Sequence, residues 1–126
     1  MRVEIVSKGI CLKATLHKNA TAEQIAAILP IEGNANRWGD EIYFEIPLQI
    51  DLSDDAVAEV EVGTMAYWPT GSALCLFFGP TPVSKGDQPR AYSPVNPFGK
   101  IDGDASALRN VPNGATVTIR KGDASL

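Results

Sequence analysis

The sequence predicts a mostly β fold, namely a closed or nearly closed barrel of about eight short strands with one or two short helices. Three observations lead to this prediction. Apolar and polar residues alternate along many short runs, which is typical of half-buried strands. The 11 glycines and 9 prolines are spread along the chain and divide it into short elements. The 126 residues are enough for one domain with a buried core.

The first two elements are strands. Val3 and Ile5 share one face of a strand over residues 2–6, and residues 10–17 alternate more clearly, with the even-numbered positions 10 to 16 apolar. Ser7-Lys8-Gly9 lies between them and has the composition of a hairpin turn. The chain therefore begins with a predicted β-hairpin.

A change of period after residue 20 predicts a short helix. Thr21-Ala22-Glu23-Gln24 has the capping-box pattern, in which the threonine and glutamine side chains each satisfy an exposed helix N–H. Ile25 and Ile28 follow at helical spacing, as expected of an amphipathic helix. Pro30 predicts its end.

The middle of the chain predicts a second hairpin, with strands over residues 31–38 and 41–46 around a turn at Gly39-Asp40. In the second strand we expect Ile42, Phe44 and Ile46 to face the core, and Tyr43 and Glu45 to face the other way. An acidic turn over residues 51–55 then precedes a strand in which Val60 and Val62 alternate with glutamates.

The second half of the chain predicts several more strands and one long loop. Met65 to Trp68 is a short strand stopped by Pro69, and the uninterrupted apolar run from Ala73 to Phe78 is typical of a strand buried on both faces. Residues 80–94 contain four prolines and a glycine and predict a long irregular loop. The remaining predicted elements are strands over residues 95–101 and 115–121 and a helical turn over residues 105–110.

Composition argues against several classes of partner. The net charge is −4, with a pI near 4.9, so the chain lacks the basic excess that favours nucleic acid or an anionic membrane surface. We expect neither as a partner. We also expect no signal peptide and no membrane span, because no apolar stretch approaches the roughly 20 residues that a span needs. A cytoplasmic location is the matching expectation.

The cysteines and the single histidine give little sign of catalytic chemistry. Cys11 and Cys75 form no CxxC motif, so free thiols are the simplest interpretation, although spacing alone leaves a bridge between them open. Cys75 lies in an apolar run and is expected to be a buried, unreactive thiol. His17 stands six residues from Cys11 on the same strand face, too far for direct contact, and we expect it at the surface.

No motif for a metal or a nucleotide is present in the sequence. The carboxylates at residues 51–55 and 102–104 do not match a calcium-binding loop, and solvated turns explain them. The glycines near residues 99 and 103 do not form a nucleotide-binding pattern. We therefore expect no metal, no cofactor and no catalytic residue.

Four segments together resemble a known family. They are Arg37-Trp38-Gly39-Asp40-Glu41-Ile42-Tyr43-Phe44, Ala66-Tyr67-Trp68-Pro69, Phe77-Phe78-Gly79-Pro80-Thr81-Pro82 and Ser93-Pro94-Val95-Asn96. In these segments the chain resembles the small bacterial and archaeal cyclophilin-like proteins, whose function is unassigned. The resemblance covers most of the chain and implies a single cyclophilin-like barrel domain over residues 1–126.

The resemblance to true cyclophilins, which isomerise X-Pro peptide bonds, is more distant. Those enzymes use an arginine on an early strand, a glutamine and a phenylalanine on a central strand, and a later tryptophan and histidine. Here the early strand carries Glu45 and no arginine, Ala73 and Cys75 stand at the central positions, and no histidine lies near Asn96. Because function depends on the site and not on the fold, we do not expect the usual isomerase mechanism.

The same resemblance suggests a groove for a small ligand or a peptide. Tyr67 and Trp68 would supply stacking area, or else cap the barrel end, and Arg90 or Glu45 would set a charge preference. Two alternatives stay open: a divergent proline isomerase that uses Arg90 or Asn96 as its donor, and a dimer contact formed by Trp68 and the loop over residues 80–94. The sequence does not predict the oligomeric state. The candidate site residues are Tyr43, Glu45, Tyr67, Trp68, Phe77, Arg90 and Asn96.

Overall fold

The structure is a computed structural model and describes residues 1–122. This part of the chain contains ten strands, one α-helix and two short 3-10 helices. The helix is α1 (Ala20–Ala27), and the 3-10 helices span Pro69–Gly71 and Ala105–Asn110. The strands are β1 (Arg2–Ser7), β2 (Ile10–Leu16), β3 (Ile31–Asn34), β4 (Asn36–Arg37), β5 (Glu41–Glu45), β6 (Val57–Glu59), β7 (Thr64–Trp68), β8 (Ala73–Phe77), β9 (Arg90–Ile101) and β10 (Thr116–Lys121).

The strands pair in the order β3-β10-β1-β2-β9-β7-β8-β5-β4, with β6 added beside β9. The first and last strands of this order, β3 and β4, are separated in sequence only by Ala35, whose N–H donates to the Ala115 carbonyl at 2.8 Å. One extended segment over residues 31–37 therefore pairs first with β10 and then with β5, at opposite edges of the sheet. With β3 and β4 taken as one bent strand, the path is the predicted nearly closed barrel of eight strands.

The barrel has two apolar clusters because several strands bury both faces. Inside the barrel, Ile5, Phe44 and Phe98 are among the largest fully buried side chains. All five residues of β8 are buried, which confirms the strand predicted from its unbroken apolar run. The outer face of the sheet carries a second group, here called the outer cluster: Val60, Ala66, Cys75, Phe77, Ala91 and Val95, with Tyr43 and Trp68 packed against it.

The cap predicted for the helix was wrong. The N-cap of α1 is Asn19, whose side-chain oxygen accepts a hydrogen bond from the Ala22 N–H at 2.9 Å. Thr21 lies inside the first turn and is buried, so its hydroxyl turns to the Asn96 side chain at 3.4 Å instead. The reason is that Asn19 is held in place by a second bond, from its amide to the Pro97 carbonyl at 3.0 Å.

Two predicted strands and one predicted loop also needed correction. Residues 31–38 do not form one hairpin arm, because β3 leaves to pair with β10 and only β4 pairs with β5. The strand expected around Val60 and Val62 lies earlier, at β6, and Val62 is exposed. The loop predicted over residues 80–94 ends at residue 89, because β9 begins at Arg90. The prolines of β9 are tolerated because they lie where the pairing of β9 with β6 and with β7 shifts register.

The expectations for the first turn, the cysteines and His17 are confirmed. Lys8 and Gly9 adopt positive φ angles of 49° and 79° in the β1–β2 turn. Both cysteines are free, Cys11 exposed and Cys75 buried, and His17 is exposed just after β2. Within residues 1–122 no helix has the length and apolarity to cross a membrane.

Candidate functional site

A cavity of about 180 Å³ lies on the outer face of the sheet, above the outer cluster. It collects residues from the β4–β5 hairpin, from the end of β7 and from the start of β9. We call it the aromatic pocket. Its lining residues are Trp38, Glu41, Tyr43, Trp68, Ala91, Tyr92 and Val95.

Four aromatic rings form the walls of the pocket in a connected row. Trp38 meets Tyr92 at a centroid distance of 6.2 Å, Tyr92 meets Trp68 at 6.3 Å, and Trp68 meets Tyr43 at 6.4 Å. All three contacts are edge-to-face, which is a favoured aromatic geometry. The row is therefore already formed in the unliganded structure.

Trp68 is fixed at the centre of this row. Its indole N–H donates to the Ser93 hydroxyl at 2.6 Å, and the ring packs on the outer cluster. Tyr92, between the two tryptophans, is 74% exposed. Because Tyr92 contacts both tryptophans and is still largely exposed, the rim of the pocket beside it is open to solvent.

Trp38 is positioned by the tight turn between β4 and β5. Its N–H donates to the Glu41 carbonyl at 2.9 Å, and the Glu41 N–H returns a bond to the Trp38 carbonyl at 3.2 Å. Asp40, within the turn, accepts from Arg109 at 3.2 Å, and Arg37 donates to the Val111 carbonyl at 2.8 Å. These bonds fasten the hairpin to the second 3-10 helix, so the Trp38 wall rests on a fixed turn.

Glu41 brings a carboxyl group into this apolar setting. It begins β5 opposite Phe77 and is only 5% exposed. Among the described residues, its Oε1 atom has no hydrogen-bond partner. Burial raises the pKa of Glu41 from 4.5 to about 7, and the nearby Cys75 thiol lowers the pKa by a smaller amount as a hydrogen-bond partner.

Cys75 is the titratable group that contacts the Glu41 carboxyl. Complete burial raises the pKa of the Cys75 thiol well above its ordinary value, and the Glu41 carboxyl raises it further. Its sulfur also lies 3.9 Å from the Ala73 carbonyl oxygen. The thiol stays protonated and is a poor nucleophile, in line with the expectation from its apolar run.

Of the seven predicted site residues, the structure brings Tyr43 and Trp68 together in the pocket. Phe77 is fully buried in the outer cluster, so it supports the pocket from below. Glu45 is exposed four residues beyond Glu41 and lies by a separate surface depression near Pro47. Arg90 pairs in register with Glu59 of β6 and does not line the pocket.

Tyr67 and Asn96 lie on the inner side of the sheet, away from the pocket. The Tyr67 hydroxyl donates to the Leu48 carbonyl at 2.7 Å and accepts from the Ile50 N–H at 3.2 Å. Asn96 accepts from the Ser53 N–H at 2.8 Å and donates to the Asp51 carbonyl at 2.9 Å. Both side chains hold the segment between β5 and β6 against the barrel.

Sequence reasoning missed Trp38 and Glu41 and treated Tyr92 only as part of a loop. A signal for Glu41 was present: it shares a strand face with Tyr43, two residues later. Glu45 shares that face as well and is exposed, so alternation alone does not distinguish the two glutamates. The burial of Glu41 depends on the pairing of β5 with β8, which the sequence does not show.

The described residues offer no metal site. Within residues 1–122, no group of three or more His, Cys, Asp or Glu side chains is arranged to hold a metal ion. The chemistry available in the pocket is therefore that of aromatic faces, apolar side chains and one carboxyl group.

Comparison with known proteins agrees with this architecture. The chain is similar to the solution structure of the hypothetical protein AF2241 from Archaeoglobus fulgidus, with a TM-score of 0.79 and 36% sequence identity over 97% of this chain and 95% of that chain. No curated protein matches the chain. The family model described as "Cyclophilin-like" matches residues 1–120. With the barrel order and these matches, the chain belongs to the cyclophilin-like family.

Proposed function

We propose that this protein binds a small molecule, or one side chain of a peptide, in the aromatic pocket. The observation that supports this most directly is the presence of four aromatic side chains and one buried carboxyl group around a single cavity. Apolar cavities with a few convergent polar groups are typical ligand sites, and large aromatic rings supply contact area at low entropic cost.

The size of the pocket limits what enters it. Its volume of about 180 Å³ lies below the roughly 300–1,000 Å³ that drug-sized ligands occupy. The pocket therefore accommodates one head group or one side chain. The rest of a longer ligand would extend across the rim beside Tyr92, which is the exposed ring of the row.

Binding is better supported than a divergent isomerase. That alternative requires Arg90 or Asn96 to supply a hydrogen-bond donor to the substrate. Arg90 stands beside β6, and the Asn96 amide already donates to the Asp51 carbonyl inside the barrel. Neither side chain lines the pocket, so neither offers that donor where a ligand would sit.

Tryptophan fluorescence tests the proposal directly. The chain has two tryptophans, Trp38 and Trp68, and both line the pocket. Titration with X-Pro peptides and with a panel of cationic, anionic and neutral small molecules should change this emission for at least one ligand. The same ligand should raise the free energy of unfolding by about 2.7 kcal/mol at a hundredfold excess over Kd.

Two variants and one control sharpen the test. Trp68→Ala and Tyr92→Ala should each weaken binding about tenfold, equivalent to about 1.4 kcal/mol. Tyr92→Ala is the safer variant for folding, because that side chain is 74% exposed. Leu52→Ala, also at an exposed apolar residue but outside the pocket, should leave binding unchanged.

Two outcomes would overturn the proposal. One is unchanged affinity in both aromatic variants. The other is no response to any ligand in the panel, and a dimer in light scattering would then favour the self-association alternative for Trp68 and residues 80–94.

A further inference from the structure

We propose that the aromatic pocket selects an organic ammonium cation, such as an alkylated amine head group, with Glu41 as its counter-ion. This inference rests on the proposed binding function and specifies the ligand class. It combines three features of the pocket: the electrostatics of its walls, the state of its buried carboxyl group, and its shape.

The walls favour positive charge. Aromatic faces are electron-rich and attract ammonium groups within about 6 Å of the ring centroid, and tryptophan does so most strongly. Here two tryptophans and two tyrosines surround one cavity, with neighbouring centroids 6.2–6.4 Å apart. Several rings around a small volume are the arrangement that recognises alkylated ammonium ligands.

The carboxyl group of Glu41 lacks a cationic partner. Glu41 is only 5% exposed, and its Oε1 atom makes no hydrogen bond with the described residues. No lysine, arginine or histidine is among the residues that line the cavity. Buried carboxylates in proteins are normally paired, so a cation from the ligand would supply the missing partner.

The shape and chemistry of the cavity favour an organic cation over a metal ion. Ala91 and Val95 contribute apolar surface, and the volume is small. A metal ion that loses its water shell needs several oxygen or nitrogen ligands, and Glu41 is the one carboxylate among the residues that line this cavity. An alkylated ammonium group needs no such ligands, because its methyl or methylene groups pack on aromatic and aliphatic side chains.

The other ionisable groups near Glu41 do not compete for this role. Tyr43 on the same strand and Tyr92 on β9 line the pocket, and Cys75 on β8 stays a neutral thiol because burial raises its pKa. On the hairpin itself, Arg37 and Asp40 form an ion pair at 3.8 Å. The Glu41 carboxyl is therefore left for the ligand.

A matched pair of probes tests the inference: choline, and its neutral isostere 3,3-dimethylbutan-1-ol. Calorimetry and tryptophan fluorescence at pH 8 should show choline binding at least tenfold more tightly than the isostere. Because the pKa of Glu41 is about 7, choline should bind about tenfold more weakly at pH 6, where most of the carboxyl is protonated. The isostere should show no such change.

Glu41→Gln keeps the size of the side chain and removes its charge. In this variant the preference for choline should fall to the part that the aromatic rings supply, and the pH dependence of choline binding should disappear. Glu45→Gln, on the same strand but outside the pocket, is the control and should retain both.

The outcomes separate the two proposals. Equal binding of choline and the isostere would overturn the cation inference and leave the pocket as a binding site. Binding of end-blocked, uncharged X-Pro peptides or other uncharged ligands without binding of choline would do the same. Failure of every probe in the panel would overturn both.

Discussion

Glu41 is the residue whose chemistry departs most from an ordinary surface carboxyl. It lies at the start of a strand on a face covered by aromatic rings, and this burial raises its pKa to about 7. Ionising it costs free energy in the unliganded protein, because the surroundings provide no charge to offset the desolvation. The residue is therefore destabilising near neutral pH, which is a common property of groups that serve a ligand.

This pKa predicts an unusual pH dependence of stability. The unfolded chain loses the Glu41 proton near pH 4.5, whereas the folded chain keeps it until about pH 7. Between these values the folded state binds more protons, so stability falls as pH rises, by about 3 kcal/mol for this group. Urea unfolding at pH 5 and pH 8 should show this fall in the wild type.

Glu41→Gln should remove most of this fall, because the amide does not titrate. Glu45→Gln, at an exposed position on the same strand, should behave like the wild type. An identical pH profile for the wild type and Glu41→Gln would contradict the prediction.

At the scale of elements, the most informative feature is that the two faces of β7, β8 and β9 have different roles. Their outward side chains support the pocket, through Trp68, Cys75 and Val95. Their inward side chains fill the barrel and also hold the chain that connects β5 to β6, through Tyr67 and Asn96. The same strands thus carry the pocket on one side and a structural attachment on the other.

Asn96→Ala should lower the free energy of unfolding by about 2–3 kcal/mol. It removes a fully buried amide and leaves the Ser53 N–H and the Asp51 carbonyl without their partners. Urea unfolding measures the loss, and amide hydrogen exchange at Ser53 should become faster. The affinity of any pocket ligand should remain unchanged, because Asn96 does not line the pocket.

Asn36→Ala serves as a control for this variant, since its exposed amide makes one bond to the Tyr43 carbonyl at 3.1 Å. The expected change is within about 0.5 kcal/mol. A loss of ligand affinity in Asn96→Ala, with stability retained, would show that the residue belongs to the binding site instead.

At the scale of the whole molecule, the barrel is completed where residues 31–37 change hydrogen-bond partners. The backbone bonds there are divided between β10 and β5, so side-chain packing has to hold the two edges together. Gly33 of β3 and Phe44 of β5 provide this contact: a Cβ at Gly33 would overlap the Phe44 ring. The aromatic ring thus occupies the space that a side chain at position 33 would take.

Gly33→Ala should therefore destabilise the protein by about 1–3 kcal/mol, because Phe44 must move within a filled core. Urea unfolding followed by far-UV circular dichroism measures the change. Gly86→Ala is the matched control, since a Cβ there meets no atom within 4 Å. Equal stability of the two variants would contradict this role for Gly33.

Sequence patterns were enough to predict the strand-rich class, most strand positions, the doubly buried β8 and the family. It also identified Tyr43 and Trp68 as candidates for the pocket. These features are encoded locally, because alternation, turn residues and apolar runs are read within a few neighbouring positions. The capping asparagine, by contrast, depended on a bond from Asn19 to Pro97, far away in the chain.

Which side chains meet depends on the tertiary fold. It divided the segment over residues 31–37 between two edges, turned Tyr67 and Asn96 inward, and placed Trp38, Glu41 and Tyr92 around one cavity. The physical reason is that strand pairing is non-local. Alternation along one strand tells which residues share a face, but the partner strands and their register determine whether that face meets solvent, the core or an aromatic pocket.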